Sequence, residues 1–325
     1  MPTSNPAGRK AHVFENLASD TKSGASALTA RAARELSQVA ASFADSDPGT
    51  FWDELVAACR ALLEAQREMA PMVNLVGAVL TAAERVVLSG RPADTALNAV
   101  QLECARISES SEDMLREVGK HGSQLIERGA KIATTSDGGT VRAVIEAAAE
   151  SGRTPVVLLS ESRPGLEGVG LAGHLAGMGV ETTLVVDAAL PGLASTCDLV
   201  LLGADSVSED TFVNKIGSYA LALAAREADV PCYVAATTAK LLPSALRGDP
   251  TRRRDATEIL EAPPSGLTPS NVYLEEVPNA LIRALVTEEG PRDPDSIPEM
   301  LKERPVSPAL LQLLYAAGKT ERDQC

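Results

Sequence analysis

Near Gly129 the hydrophobic pattern of this 325-residue chain changes period. From about Ser23 to Ile126, apolar residues recur at helical spacing. Leu28, Ala32, Leu36 and Ala40 share one face, and Phe51, Leu55, Cys59, Leu62 and Leu63 share another. Beyond Gly129, short apolar runs at 131–134, 155–160, 182–187, 199–203 and 232–236 show no polar alternation, and helical segments at 141–150, 166–178 and 212–228 lie between them. A run that is apolar at successive positions is a strand buried on both faces, as in a parallel sheet covered by helices. The pattern therefore predicts an α/β chain in which an all-helical N-terminal domain precedes a doubly wound, mostly parallel sheet. The expected divisions are a flexible N-terminus over 1–22, a helical domain over 23–128 and the sheet domain over 129–325. Residues 247–264, with the Arg252-Arg253-Arg254 triplet, read as an excursion whose charges are solvated, and a last amphipathic helix is expected from about 308 to 317.

Composition narrows the function classes. With 30 Lys and Arg against 44 Asp and Glu, the net charge is −14, contrary to the clustered cations that phosphate-backbone binding needs, so nucleic acid is not an expected partner. Aromatics are only 3% of residues, so the interior must be aliphatic. Cys59, Cys104, Cys197, Cys232 and Cys325 stand alone, and His12, His121 and His174 supply no ligand spacing. Reduced thiols in a cytoplasmic protein are expected, without a metal site. Residues 1–16 lack the apolar core of a signal peptide, and no stretch reads as the roughly 18 apolar residues of a membrane span. A soluble protein without a membrane partner follows.

In an open α/β sheet, ligands bind outside the carboxyl ends of the strands, where loops and helix N-termini converge. Those ends are polar here: Thr135 to Thr140 after the first strand, Glu161-Ser162-Arg163-Pro164-Gly165 after the second, Asp187 after the third, Gly203-Ala204-Asp205 after the fourth and Thr237-Thr238-Ala239-Lys240 after the fifth. Gly138-Gly139-Thr140 opens a helix, so its amides can hold a phosphate, or the glycines serve only a tight turn. The run is neither a dinucleotide fingerprint nor a P-loop. Arg163 reads as a bidentate phosphate ligand or an exposed loop cation. Asp205 reads as a half-buried acid–base group or a helix cap. Asn214 and Lys215 are expected near the start of an apolar helix, where the dipole opposes a cation unless something is bound.

The stretches Ser160-Glu161-Ser162-Arg163-Pro164 with Glu167-Gly168, Leu201-Leu202-Gly203-Ala204-Asp205, Asn214-Lys215-Ile216-Gly217-Ser218-Tyr219-Ala220, Pro231 to Ala236, Asn271 to Pro278 and Thr287-Glu288-Glu289-Gly290 follow one another over about 160 residues. In that order they resemble the family joining the alpha, beta and delta subunits of translation initiation factor 2B with methylthioribose-1-phosphate isomerase and ribose-1,5-bisphosphate isomerase. Ser23-Gly24-Ala25 and Val73-Asn74-Leu75 match more faintly. The resemblance implies a helical N-terminal domain, a Rossmann-like C-terminal domain, a sugar-phosphate or nucleotide-phosphate pocket between them, and dimers or dimer-based assemblies. In the isomerase branches a cysteine at the end of the first sheet strand and the aspartate of Gly-Ala-Asp carry the acid and base steps.

Asp205 matches that aspartate, whereas Ser136 stands where the thiol is expected. A thiol is tunable to give or take a proton near neutrality, and a hydroxyl is not without a dedicated base. Two arginines implied by the resemblance are also absent, since Ser23 and Met69 or Ala70 occupy their positions. Asp137 is the expected substitute for part of the proton transfer, and Lys22 or Arg31 for a lost cation. Two functions follow. One is a regulatory, non-catalytic member that binds a phosphorylated sugar or nucleotide and pairs with copies of itself or with initiation-factor subunits. The other is a cofactor-independent aldose–ketose isomerase of a ribose 1-phosphate-type substrate. There Asp205 is the acid/base with Ser136 at the thiol position, Asn214 the orienter, and Arg163, Lys215, Lys240 and the Gly138 and Gly139 amides the phosphate ligands.

Overall fold

The computed structural model describes residues 14–18, 24–304 and 306–322. Of the expected flexible segment, only 14–18 is described. Glu15–Ala18 forms a helical turn in which Leu17 is buried, and the Gln66 amide donates to the Leu17 carbonyl at 2.8 Å. Ser23 and Lys22 lie outside the described residues.

The chain divides into two compact units. The first holds α1 (Ala25–Ala41), α2 (Pro48–Gln66), α3 (Ala70–Leu88) and α4 (Ala93–Ser123) as far as Glu112. The faces expected to be apolar are the buried ones, with Leu28, Ala32, Leu36 and Ala40 on α1 and Phe51, Leu55, Cys59, Leu62 and Leu63 on α2. Asp47 caps α2 by accepting from the Gly49 and Thr50 amides at 3.0 and 3.1 Å, and Pro48 occupies the first turn, where its missing N–H costs nothing. α3 corrects one expectation, because its 19 residues are long and apolar enough to cross a membrane by length and composition. It packs against α1 and α2 and buries ten residues from Ala70 to Ala83, as a core helix of the helical unit does.

The second unit carries a seven-stranded sheet and a small antiparallel one. In chain order its elements are β1 (Lys131–Thr134), α5 (Gly139–Glu150), β2 (Val156–Ser160), α6 (Glu167–Gly177), β3 (Glu181–Val185), β4 (Leu199–Leu202), β5 (Ser206–Val207), β6 (Thr211–Lys215), α7 (Ser218–Glu227), β7 (Cys232–Ala235), β8 (Leu274–Pro278), β9 (Ala284–Thr287), β10 (Gly290–Arg292) and α8 (Ile297–Lys302). The large sheet runs β10-β9-β7-β4-β1-β2-β3, parallel except for β10. Apolar clusters cover both faces, one around Ile132, Val144, Val157 and Leu171, the other around Val200, Leu202, Leu221 and Val234. β3 departs from the expectation of two buried faces because it is an edge strand, and Leu184 is exposed.

From β1 the chain proceeds to β2 and β3 on one side and then to β4, β7 and β9 on the other. The order reverses between β1 and β4, so the crevice at their carboxyl ends is the switch point where such sheets bind ligands.

Two expectations need correction. The segment 212–228 is not one helix, because Thr211–Lys215 is strand β6, paired antiparallel with β5 and β8. Asn214 and Lys215 therefore lie on a strand and oppose no helix dipole. The extended Thr211-Phe212-Val213 run finds partners on both sides, and Gly217, at φ +100°, makes the left-handed corner from which α7 starts. The boundary near residue 128 also differs. α4 beyond Glu112 belongs with the sheet unit, while Ser244–Gly248 and the described residues from Lys302 onward belong with the helical unit. The last helix, α9 (Pro308–Arg322), packs on α3 and buries Leu310, Leu313 and Leu314, a pairing of distant segments that no local pattern records.

Candidate functional site

Backbone clamps shape the strand ends. The Thr135 hydroxyl lies 3.0 Å from the Ser160 hydroxyl, and Ser162 Oγ accepts from the Ser136 amide at 2.8 Å. Asp187 accepts from the Ser162 and Arg163 amides at 2.8 Å each, so its carboxylate holds a loop. Ser136 and Ser162 both sit in the left-handed region, at φ 63° and 62°. A side chain there costs about 1 kcal/mol or more and persists where surrounding bonds enforce it. These clamps do so, and they leave Ser136 part-exposed directly after β1.

Asp205 follows β4 at the switch point. Its amide donates to the Val213 carbonyl at 2.7 Å, joining the end of the large sheet to β6. The carboxyl keeps some open surface but is otherwise enclosed by protein, and desolvation raises its pKa, opposed by the nearby Lys240 and Lys215 ammonium groups. Lys240, in the turn after β7, is buried. Desolvation lowers its pKa, and Asp205 offsets part of that loss. Gly203 sits where several elements approach: its Cβ position is 3.6 Å from Asn214 Oδ1 and 3.9 Å from Thr140 Oγ1, and its Cα is 4.0 Å from the Cβ position of Gly138. The Thr140 hydroxyl donates to the Ala235 carbonyl at 2.6 Å, tying the first turn of α5 to the end of β7. Asn214 Nδ2 donates to Ser218 Oγ at 2.8 Å, which sets the amide with its oxygen on the Gly203 side.

Lys215 donates to both oxygens of Glu167, at 2.9 and 3.0 Å, and its ammonium lies 4.4 Å from the centre of the Tyr273 ring. The Tyr273 hydroxyl donates to Glu258 Oε2 at 2.7 Å, and Asn271 Nδ2 donates to the same oxygen at 2.7 Å. The excursion after residue 247 thus folds back onto the segment leading into β8, whose Tyr273 meets Lys215 of β6. Glu167, Glu258, Asn271 and Tyr273 did not enter the sequence-based site. Their only signal is that Glu167, Asn271 and Tyr273 fall in stretches that carry the family resemblance.

Gly138 and Asn214 lie against Gly203, Lys215 and Lys240 are near enough to Asp205 to act on its charge, and Ser136 and Gly139 follow β1, the strand beside β4. Among the described residues Arg163 makes no hydrogen bond or ion pair with that group: it is exposed, and its guanidinium reaches the Glu258 carbonyl at 3.5 Å. Asp137, expected to share proton transfer, is ion-paired with Arg142, and Arg31 is paired with Glu35 at 2.9 Å. Cys197 and Cys232 lie at the amino ends of β4 and β7, opposite the site, and both thiols are raised by burial, Cys232 to about 12. Among the described residues no group of three His, Cys, Asp or Glu side chains could hold a metal. The arrangement supplies one carboxyl able to hold a proton, buried cations and an open helix N-terminus.

Comparison with known proteins adds the lineage. Ribose 1,5-bisphosphate isomerase of Haloterrigena turkmenica is 31% identical over 296 residues, covering 85% of this chain and 88% of the relative. Methylthioribose-1-phosphate isomerase of Chloroflexus aurantiacus is 33% identical over 289 residues, covering 82% of each. The solved translation initiation factor eIF-2B of Pyrococcus horikoshii superposes with a TM-score of 0.75 at 26% identity, over 88% of this chain and 97% of that one. Residues 21–294, which include every strand end described above, match the model of one family, and the chain belongs to it: the initiation factor 2 subunit family.

Proposed function

We propose that the protein binds a phosphorylated sugar or nucleotide at the carboxyl ends of β1, β4 and β7 without isomerising it. On this reading it acts as a cytoplasmic ligand sensor in a homodimer or dimer-based assembly, with initiation-factor subunits as the partner class. The observation that carries the reading is the replacement at the switch point. Asp205 and its two lysines are present, but the position after the neighbouring strand β1 is Ser136, whose amide is bonded to Ser162 and whose neighbouring carboxylate, Asp137, is held by Arg142. Moving a proton between adjacent carbons calls for a group that both takes and returns it, and a hydroxyl without a base does neither near neutral pH.

A second reading, a cofactor-independent aldose–ketose isomerase, is favoured by the raised pKa of Asp205, which suits a general acid, and by the names of relatives such as the two above, each matched over more than four-fifths of its length. Phosphorus NMR separates the two. With ribose 1,5-bisphosphate, methylthioribose 1-phosphate and AMP, at least one ligand resonance is expected to broaden on addition of protein, with no product signal. Conversion that disappears in Asp205→Asn replaces the sensing reading with the isomerase one.

Restoring the thiol gives a complementary result. Ser136→Cys is expected to produce conversion of a bound sugar phosphate at about 100-fold above the background rate seen with the parent, the lower end of what a placed acid–base group contributes. No gain means the pocket has lost the orientation that catalysis needs.

A further inference from the structure

Backbone strain is concentrated in the loops after β1 and β2. Five non-glycine residues among those described have positive φ, and three of them, Ser136 at 63°, Ser162 at 62° and Leu166 at 60°, lie in those two loops. Glycine takes such a turn at no steric cost, yet positions 136 and 162 carry side chains. Strain of this kind persists only where surrounding bonds impose it, and it collects where a side chain is put to use.

The bonds that impose it act in two steps. Asp187 accepts from the Ser162 amide through Oδ1 and from the Arg163 amide through Oδ2, each at 2.8 Å, which fixes the turn at Ser162. Ser162, only 1% exposed, in turn offers its hydroxyl to the end of β1. Its Oγ accepts from the Ser136 amide at 2.8 Å and lies 3.3 Å from Thr135 Oγ1. The first turn of α6 closes over that oxygen, since a Cβ on Gly168 would stand 3.1 Å from it. Ser160 supplies the contrast, because its hydroxyl meets Thr135 Oγ1 at 3.0 Å and makes no bond to Ser136.

We infer that Ser162 is the positioning residue for position 136: its buried hydroxyl holds the left-handed turn that places the side chain after β1 ahead of the start of α5, whichever atom that side chain carries. A hydroxyl or a thiol at 136 is then held in the same place. The inference goes beyond ligand binding, and its test needs no ligand.

The test is alkylation of Ser136→Cys by iodoacetamide, with the rate at residue 136 followed across pH by peptide mass spectrometry. Only the thiolate reacts, and a helix N-terminus such as that of α5 lowers a thiol pKa. In Ser136→Cys the midpoint is therefore expected below the ordinary thiol value of about 8.5. Adding Ser162→Ala is expected to raise it by about one unit, which leaves about tenfold less thiolate below both midpoints. Adding Ser160→Ala instead, which removes a hydroxyl of the same cluster but not the bond to residue 136, is expected to leave the midpoint where it was. An unchanged midpoint with Ser162→Ala, or an equal shift with Ser160→Ala, overturns the inference. Hydrogen exchange of the unaltered protein guards against misfolding of the variants. The Ser136 amide is expected to exchange about 100-fold or more slowly than in an unstructured chain, and exchange at the unstructured rate overturns the assignment. Whether a ligand binds is decided separately by the phosphorus NMR experiment.

Discussion

Neutralising Asp205 and Lys240 together, as Asp205→Asn with Lys240→Met, is expected to leave the protein as stable as the parent or about 1–4 kcal/mol more stable, while ligand affinity falls about 100-fold. For both groups desolvation is the largest influence on the pKa, and it opposes the charged form. Replacing buried opposite charges with neutral groups of similar volume is often neutral or stabilising, because the mutual attraction rarely exceeds the cost of taking two ions out of water. Losing charge-assisted hydrogen bonds to a phosphate costs about 3 kcal/mol, which is the stated loss of affinity. Urea unfolding and calorimetry check the two halves separately. A double variant much less stable than the parent would mean that the charges hold the fold and are not retained for a ligand.

The pH dependence of stability carries the same signature. The folded pKa of Asp205 is raised above its unfolded value, so between the two values the native state holds the extra proton. Its contribution is fully present below the unfolded pKa and is lost as pH rises through the folded one. Lys240 acts in the opposite sense on the alkaline side, because its lowered folded pKa makes stability rise with pH up to its unfolded value. Unfolding measured across pH should therefore lose both slopes in the double variant.

Gly168→Ala is expected to destabilise the protein by about 3 kcal/mol and to abolish ligand broadening in the NMR experiment. A Cβ at residue 168 would stand 1.8 Å from the Ser160 carbonyl oxygen and 3.0 Å from its carbon. That carbonyl ends β2, whose register with β3 is held through Ser160 opposite Val185 and by the Glu161 amide bond to the Val185 carbonyl. The strand cannot yield, so α6 must move, and relieving a clash in a packed interior costs about 1–3 kcal/mol, with larger values when backbone is involved. Glu167 adjoins Gly168, so the displacement separates it from Lys215. Thermal or denaturant unfolding measures the first effect. A loss below about 0.5 kcal/mol, within the range of surface substitutions, would mean that α6 does not dock tightly there.

These effects also show which features could be read ahead of the fold. β1 and β4 and the helix after β1 declare themselves through continuous apolar runs and through Gly138-Gly139, so the placement of Asp205 and Ser136 at strand ends follows from local pattern. Residues 211–215 misled it, because Phe212 and Val213 followed by the apolar helix from Ser218 blend into one helical period, and the strand exists only by pairing with β5 and β8. The same holds for β8, whose partner β6 lies some 60 residues earlier. Arg163 carried the residue type of a phosphate ligand, yet Asp187 fixes its amide and leaves its guanidinium exposed.

Chain-local periodicity thus settled the α/β class, the order of the units and the strand ends at which chemistry is placed, since hydrophobic spacing and glycine turns act over a few residues. Pairings across long separations came from elsewhere: Lys215 with Glu167 over 48 residues, and α9 with α3 over more than two hundred. Such pairs depend on which strands become neighbours, and that is decided by burying both faces of the sheet at once, a condition that no single segment contains.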